Sequence, residues 1–203
     1  MPVIAGHDVS RETFEKLHRF VDLTQKWTKK INLIAPSTID QIWDRHIVDS
    51  AQLFSLVQEN PTKWADLGSG GGLPAIVLAV LFADRGDNVA LTCIESDQRK
   101  ATFLRTCIRE LELNGSVLAN RSEQAPPQSA NLVTARALAP LPKLLGYVER
   151  HLADDGVAIL PKGENADQEI AEARKTWNFD LSQVESITHK DASILKLRNI
   201  ARG

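Results

Sequence analysis

The chain has 203 residues, of which 43% are hydrophobic and 25% are charged, and its formal net charge is −2 at pH 7. This length fits one domain, or one domain with a small appendage, and the composition is typical of globular proteins. No apolar run approaches the roughly 20 residues that a membrane span needs, and the N-terminus lacks the basic start and apolar core of a signal peptide. We therefore expect a cytoplasmic protein. The net negative charge argues against a protein that coats nucleic acid non-specifically.

Two helices are predicted before residue 61. Apolar residues recur at three- and four-residue steps over residues 12–31, and Ser10 is the expected N-cap. A second helix is predicted from about Ile39 to Gln58, where Asn60-Pro61 ends it. We expect residues 1–60 to form a helical cap.

The first predicted helix carries a basic cluster. Residues 16–30 contain a single acidic residue, Asp22. The basic residues in the same stretch are Lys16, Arg19, Lys26, Lys29 and Lys30. Such a cluster is either a solvated helix face or a contact for RNA phosphates. Both interpretations stay open from the sequence.

Strand and helix patterns alternate from residue 64 onward. Strands are predicted at 64–67, 88–94, 116–119, 131–135, 156–162, 181–186 and 193–199, and helices at 74–82, 97–112, 142–152 and 167–177. This alternation predicts an α/β fold of the Rossmann-like type, a mostly parallel seven-stranded sheet with helices on both faces. We expect residues 61–203 to form that domain. Cys93 and Cys107 fall on a strand and a helix without metal-ligand spacing, so we expect buried thiols and no metal.

A glycine-rich loop follows the first of these strands. It reads Asp66-Leu67-Gly68-Ser69-Gly70-Gly71-Gly72-Leu73-Pro74. Glycines there allow a sharp turn and the close approach of a ligand. Three interpretations compete: a dinucleotide site, a turn without ligand and a site for S-adenosylmethionine. Asp66 would repel a pyrophosphate but would attract the cationic sulfonium and ammonium of S-adenosylmethionine, so the charge favours the third interpretation.

The next strand ends at Glu95, whose carboxylate can accept hydrogen bonds from a ribose diol. Both classes of nucleotide ligand use such an acid. Glu95 therefore supports a nucleoside-containing ligand without choosing between them, and a charge at a strand end without a ligand is the alternative.

Several segments of the chain, in order, resemble the bacterial RsmG family, also called glucose-inhibited division protein B. They are Trp27 with Asn32-Leu33, Arg45-His46-Ile47-Val48-Asp49-Ser50, the loop from Asp66 to Pro74, Arg136-Ala137-Leu138-Ala139, and Lys162-Gly163. The resemblance covers nearly the whole chain. It implies a class I S-adenosylmethionine-dependent methyltransferase that methylates N7 of a guanine, position 527, in the 530 loop of 16S ribosomal RNA. One departure is Ala75, where the family usually has glycine.

The resemblance also implies a set of cofactor contacts. Together with the loop residues argued above, the predicted contacts are Asp66, Gly68, Gly70, Leu73, Glu95, Ser122, Glu123 and Arg136. Guanine N7 carries a lone pair and no proton, so its methylation needs no general base, and we expect no catalytic acid–base residue. A nicotinamide-dependent oxidoreductase, a non-catalytic assembly factor and a methyltransferase with another substrate remain alternatives on the fold alone.

For the RNA partner we expect contacts from the basic residues Lys26, Lys29, Lys30, Arg45, His46 and Lys162. His46, Asp49 and Ser50 share a helix face, but a hydrolase triad needs a serine at a strained turn, so we do not assign one. The Arg45–Ser50 segment is expected to brace the cap against the cofactor site or to touch RNA. Lys162 is expected to contact an RNA phosphate. We expect a monomer that binds 16S ribosomal RNA or the small subunit, with no DNA and no membrane partner.

Overall fold

The computed structural model describes residues 1–57 and 61–203, and in these residues a seven-stranded sheet forms the centre of the protein. The strands are β3 (Lys63–Leu67), β4 (Ala90–Ile94), β5 (Gly115–Leu118), β6 (Ala130–Ala135), β7 (Leu152–Lys162), β8 (Trp177–Glu185) and β9 (Ser193–Arg202). Their spatial order is β5-β4-β3-β6-β7-β9-β8. Strands β3 to β7 run parallel to one another, and β9 pairs antiparallel with β7 and β8. The predicted sheet is confirmed, and its order reverses beside β3, where such folds bind ligands.

The helices lie on both faces of this sheet, as predicted. They are α1 (Arg11–Thr28), the single turn α2 (Asp49–Ala51), α3 (Ala75–Arg85), α4 (Gln98–Glu110), α5 (Leu141–His151) and α6 (Ala166–Ala173). Side chains of β3 alternate between two hydrophobic clusters: Trp64 packs with α1, α3 and α4, whereas Ala65 and Leu67 pack with α5 and α6. The sheet therefore separates two core layers. Among the described residues, no helix combines the length and the apolar run that crossing a membrane requires.

The N-terminal region begins with a small hairpin that the sequence did not predict. Strands β1 (Val3–Ile4) and β2 (His7–Asp8) pair antiparallel, and two-residue strands carry too little periodicity to be recognised. Helix α1 follows with the predicted N-cap, because the Ser10 hydroxyl accepts a hydrogen bond from the Thr13 amide. The helix ends at Thr28, three residues before the predicted end.

The second predicted helix, Ile39 to Gln58, is wrong as a continuous α-helix. The chain forms a 3₁₀ segment (Pro36–Gln41), a π segment (Trp43–Val48), α2 and another 3₁₀ segment (Gln52–Leu56). We call this run, residues 36–56, the second helical segment. The apolar periodicity of the segment is that of a helix, but pieces of three to six residues are too short for the different periods of these helix types to be told apart. The predicted end at Gln58 and Asn60 lies outside the described residues.

The remaining boundaries differ by a few residues. Strand β7 begins at Leu152 rather than Gly156, and Trp177, predicted to end a helix, instead begins β8. Cys93 and Cys107 are buried free thiols, as predicted. The N-terminal residues and α3, α4, β3 and β4 share one hydrophobic cluster. A boundary between cap and domain at residue 60 stays a prediction.

Candidate active site

A cavity of about 340 Å³ lies at the carboxyl ends of β3, β4 and β5. We call it the nucleoside cavity. Five predicted cofactor contacts line it: Gly68, Gly70, Glu95, Ser122 and Glu123. Its size falls in the range of roughly 300–1,000 Å³ that is typical of small-molecule sites.

The glycine loop forms one wall of this cavity because the backbone turns through left-handed conformations at Gly68 and Gly70, whose φ angles are +65° and +50°. The amides of Gly68 and Ser69 both donate to the Ile94 carbonyl, at 2.8 and 3.1 Å. A Cβ built on Gly68 would lie 2.6 Å from Cδ1 of Leu138. The loop is thus fixed to the end of β4 and packed against Leu138, as a close ligand approach requires.

Glu95 occupies the predicted position at the tip of β4, and it is 8% exposed. One carboxylate oxygen accepts a hydrogen bond from the Gly70 amide at 2.8 Å, and the other accepts from the Asp97 amide at 2.7 Å. A carboxylate offers about four lone-pair sites. Glu95 therefore fixes the glycine loop and can still accept hydrogen bonds from the hydroxyl groups of a bound ribose.

Helix α5 supplies side chains to this cavity that the sequence did not predict. Lys143 and Tyr147 line it, and the Lys143 ammonium lies 5.8 Å from the Tyr147 ring centroid. His151, four residues further, is fully buried and lies 2.8 Å through Nε2 from the Ser122 carbonyl. Because a carbonyl only accepts, this nitrogen donates. Lys143, Tyr147 and His151 are spaced four residues apart on a helix that follows a strand ending on the ligand side of the sheet. This spacing puts them on one helix face, and it is the sequence signal by which they could have been identified.

The structure does not bring Asp66 to the cavity lining. The Asp66 side chain lies on the Trp64 face of β3, is 1% exposed, and accepts a hydrogen bond from the Thr134 hydroxyl at 2.5 Å. Trp64 Nε1 donates to the same hydroxyl at 2.9 Å. Within the described part of the chain, Oδ2 of Asp66 has no hydrogen-bond partner. Burial raises the pKa of this carboxyl to about 6 despite the hydrogen bonds from Thr134 and Ser69.

Leu73 and Arg136 are also placed away from the cavity lining. Leu73 is buried in the hydrophobic cluster that includes α1 and α3. Arg136 lines a second cavity of about 610 Å³, which we call the rim cavity. Their predicted contact with the cofactor therefore stays a prediction, because their side chains meet other protein groups in this structure.

Arg136 is held by the second helical segment. Its Nη1 donates to Oδ2 of Asp49 at 3.1 Å, and its Nη2 lies 3.4 Å from Nδ1 of His46. Nε2 of His46 lies 2.8 Å from the hydroxyl of Thr38, which donates its own hydrogen to the Ala35 carbonyl. We assign the proton of His46 to Nε2, so that Nδ1 accepts from Arg136. Burial and the Arg136 charge lower the pKa of His46 to about 4, which keeps the imidazole neutral.

The predicted contact between Lys162 and an RNA phosphate is not supported. The Lys162 side chain is 9% exposed, and its ammonium donates to the Ala139 carbonyl at 3.0 Å and to Oε2 of Glu169 at 2.8 Å. The same carboxylate oxygen accepts from the Leu141 amide at 2.6 Å. Residues 137–139 line both cavities. Lys162 therefore fixes the wall between the cavities, and no sequence pattern indicated its pairing with Glu169.

The exposed basic residues fall into two groups. Arg45 is exposed and lines the rim cavity. Lys26, Lys29 and Lys30 are exposed around the end of α1 and line neither cavity. Two other members of the basic cluster are paired with carboxylates, Arg19 with Glu110 and Lys16 with Glu12. Among the residues in the described ranges, no three His, Cys, Asp or Glu side chains form a group that could hold a metal ion.

Comparison with known proteins places this architecture in a family. Residues 13–199 match the GidB family, described as rRNA small subunit methyltransferase G. A protein named ribosomal RNA small subunit methyltransferase G from Cereibacter sphaeroides (strain ATCC 17029) is 51% identical over 199 residues, which cover 98% of this chain and 97% of the relative. Another from Ruegeria sp. (strain TM1040) is 45% identical over 195 residues, 96% and 95% of the two chains.

Solved structures confirm the fold. A methyltransferase from Geobacter sulfurreducens superposes with a TM-score of 0.61 over 94% of this chain and 98% of its own, at 12% identity. The seven-stranded, mostly parallel sheet with its N-terminal helices is therefore the class I methyltransferase fold. Since the family match extends over nearly the whole chain, this protein belongs to the GidB family of small-subunit ribosomal RNA methyltransferases.

Proposed function

We propose that this protein transfers a methyl group from S-adenosylmethionine to N7 of guanine 527 in the 530 loop of 16S ribosomal RNA. The observation that carries the proposal is the nucleoside cavity, where the glycine loop, Glu95, Ser122 and Glu123 meet at the carboxyl ends of neighbouring strands in a chain of the GidB family. The family match supports ribosomal RNA as the substrate. The choice of N7 and of this guanine follows from the resemblance alone.

The lining of the nucleoside cavity fits S-adenosylmethionine. Gly70 leaves space beside the loop, Gly68 lets the loop pack closely against Leu138, and Glu95 retains lone pairs for a ribose diol. Ser122 and Glu123, after β5, line the cavity, and we propose that they border the adenine ring. Asp66, Leu73 and Arg136 are kept as proposed cofactor contacts, although their side chains do not line the cavity in the present structure. Asp66 still adds negative potential near the loop when it is ionised, which favours a cationic ligand.

When bound, S-adenosylmethionine supplies an electrophilic methyl group on a sulfonium. Guanine N7 forms the new bond with its own lone pair while the sulfur–methyl bond breaks, so no proton has to leave N7. The protein has to align the two reactants and exclude water. The His46 imidazole is neutral, but its free lone pair faces the Arg136 guanidinium, so it is not available as a general base.

For RNA binding we propose contributions from Arg45 at the rim cavity and from Lys26, Lys29 and Lys30 around the end of α1. His46 is left out because its imidazole is neutral and its two ring nitrogens are engaged by Thr38 and Arg136. Exposed cations that neutralise phosphates supply affinity that falls with salt. Lys162 is left out of this group because its ammonium is used inside the protein. We also propose that the protein acts as a monomer in the cytoplasm.

The direct test is methyl transfer to small ribosomal subunits from a strain that lacks this enzyme, followed by mapping of the modified nucleotide. We expect one 7-methylguanosine, at position 527. Methylation at another nucleotide would overturn the position, and absence of transfer would overturn the activity. Gly70→Ala is a suitable variant, because its Cβ would meet only the Gly68 carbonyl, at 3.6 Å, while placing a methyl group beside the ligand. The left-handed backbone at φ +50° costs alanine about 1–2 kcal/mol, so thermal unfolding of the variant is measured alongside to show that it is folded. We expect weaker cofactor binding by calorimetry.

A control distinguishes the alternative nucleotide ligand. S-adenosylmethionine, but not NADH, should raise the thermal unfolding midpoint of the wild-type protein, since only a ligand of the folded state stabilises it. Stabilisation by NADH alone would favour an oxidoreductase.

A further inference from the structure

We propose that Ile187, in the turn between β8 and β9, is a contact for an unstacked nucleobase of the RNA at the mouth of the rim cavity. This inference rests on the proposed function, because it names a contact of the same RNA substrate.

The rim cavity lies next to the nucleoside cavity. The two share the wall formed by residues 137–139, at the carboxyl end of β6. The base that accepts the methyl group has to approach the methyl carbon from the side opposite the sulfur, which is the leaving group. A cavity that shares a wall with the donor site provides such an approach. The rim cavity, at about 610 Å³, is large enough for a nucleotide-sized group.

The charges of the rim cavity suit RNA. Its two lining carboxylates, Asp49 and Glu169, are engaged by Arg136 and Lys162 in ion pairs of 3.1 and 2.8 Å. Arg45 and His189 line the same cavity and are exposed. The acids are thus neutralised within the protein, while Arg45 presents its charge to solvent. Such a surface attracts a phosphate backbone.

The turn between β8 and β9 forms part of this rim and is fastened to the second helical segment. The Gln52 side chain accepts from the Ile187 amide at 2.9 Å and donates to the Ser186 hydroxyl at 3.1 Å. The Thr188 hydroxyl donates to Oδ1 of Asp49 at 2.5 Å. Gln52 is 7% exposed, so these bonds are shielded from water. The backbone on both sides of Ile187 is consequently held in place.

The Ile187 side chain is 65% exposed, whereas the Ile187 amide is hydrogen-bonded to Gln52. An apolar side chain held rigidly beside a cationic cavity can pack on the face of a base and keep it out of a stack. Ser186, Thr188 and His189, its neighbours, line the cavity. The hydrogen bonds that this turn makes with Gln52 and Asp49 therefore position an apolar contact at the point where a base would enter.

The first test compares Ile187→Ala with the wild type in methyl transfer to undermethylated small subunits. We expect kcat/KM for the subunit to fall at least about fivefold, with the affinity for S-adenosylmethionine unchanged, and Ile187→Leu to restore most of the rate. Val3→Ala is the matched control, because Val3 is 62% exposed on the N-terminal hairpin and lines neither cavity. An Ile187→Ala variant within about twofold of the wild type would overturn the inference.

The second test identifies the partner chemically. A photoreactive diazirine amino acid placed at position 187, or at position 3 as the control, is irradiated on the same subunits. Cross-links from position 187 to 16S ribosomal RNA are expected. Cross-links to a ribosomal protein, or none to RNA, would overturn the inference. Absence of methyl transfer by the wild type would instead contradict the proposed function, so the two failures are distinguishable.

Discussion

The guanidinium of Arg136 lies 3.1 Å from the carboxylate of Asp49, and this ion pair joins the end of β6 to the second helical segment. Both side chains are 22% exposed, so the pair is only partly screened by water. Residues 137–139, immediately after Arg136, form the wall between the two cavities. The position of the N-terminal region is thus connected to the geometry of the proposed site through one ion pair.

Asp49→Asn should destabilise the protein. The change removes the charge that Arg136 faces and leaves a half-buried cation without its counter-ion. Since removal of one partner of a fully buried pair costs roughly 3–5 kcal/mol, we expect a loss of about 1–3 kcal/mol in the free energy of unfolding for this partly exposed pair. Urea denaturation measures it. Glu15→Gln is the control, because Arg11 and Glu15 are exposed and such pairs contribute about 0–1 kcal/mol. Equal effects of both variants would contradict the importance of the Arg136–Asp49 pair.

Asp66→Asn should change how stability depends on pH. Burial raises the pKa of Asp66 to about 6, so the folded state binds this proton more tightly than the unfolded state does. The wild type therefore loses stability as the pH rises from about 4 to about 6, and the loss is complete above that range. Asparagine carries no such titration. Between pH 4 and pH 7, the free energy of unfolding of Asp66→Asn should therefore rise, relative to that of the wild type, by roughly 2–2.5 kcal/mol.

The measurement is urea denaturation of both proteins at several pH values, because every other titrating group cancels in the difference. A difference that stays constant from pH 4 to pH 7 would show that Asp66 titrates normally.

Because the pKa of Asp66 is raised in the free protein, a cationic ligand bound near the loop should lower this pKa. Binding of the ligand should therefore release a proton from Asp66. Calorimetry of S-adenosylmethionine binding near pH 6 in buffers of different ionisation enthalpy detects this release, and Asp66→Asn should abolish it.

His46→Gln tests the assignment of a neutral histidine. The lowered pKa, about 4, means that the unfolded state binds the proton more tightly than the folded state. The contribution of neutral His46 to the free energy of unfolding is therefore fully present above about pH 6.5, and it is lost as the pH falls toward 4. The variant should show a weaker loss in that window and should retain methyl transfer at neutral pH, because no base is required. Complete loss of turnover with normal binding of cofactor and RNA would assign His46 a catalytic role.

The sequence predicted the sheet well because its strands are apolar segments separated by helices of regular period, and parallel topology follows from that alternation. It did not predict where Asp66 and Lys162 point. The alternation Trp64, Ala65, Asp66, Leu67 does place Asp66 on the face of Trp64, and that signal was available. The pairing of Lys162 with Glu169 and of Gln52 with the Ile187 amide depends on how distant segments pack, which no local pattern encodes.

Lys162→Met should act on the protein rather than on RNA affinity. The change leaves Glu169 without its ammonium partner and releases the Ala139 carbonyl. We expect a lower unfolding free energy, by about 1–3 kcal/mol, and a slower methyl transfer because the shared wall is no longer held at Ala139. The salt dependence of RNA binding should stay that of the wild type. A flatter salt dependence, measured by filter binding, would return Lys162 to the RNA-binding residues.

Reversing the charges of Lys26, Lys29 and Lys30 should change RNA affinity and not stability, which is the opposite of what we expect for Lys162→Met. These side chains are exposed on and just after α1, so Lys26→Glu, Lys29→Glu and Lys30→Glu together should change the free energy of unfolding little. If they bind phosphates, RNA affinity falls and the slope of log K against log salt flattens by about 0.7–0.9 for each phosphate that is no longer neutralised. Cofactor affinity should be unchanged. Reversal of Glu12, Glu15 and Asp22 to lysine is the matched control on the same helix. Wild-type RNA affinity and salt slope after the three lysine-to-glutamate changes would show that the cluster is only a solvated face.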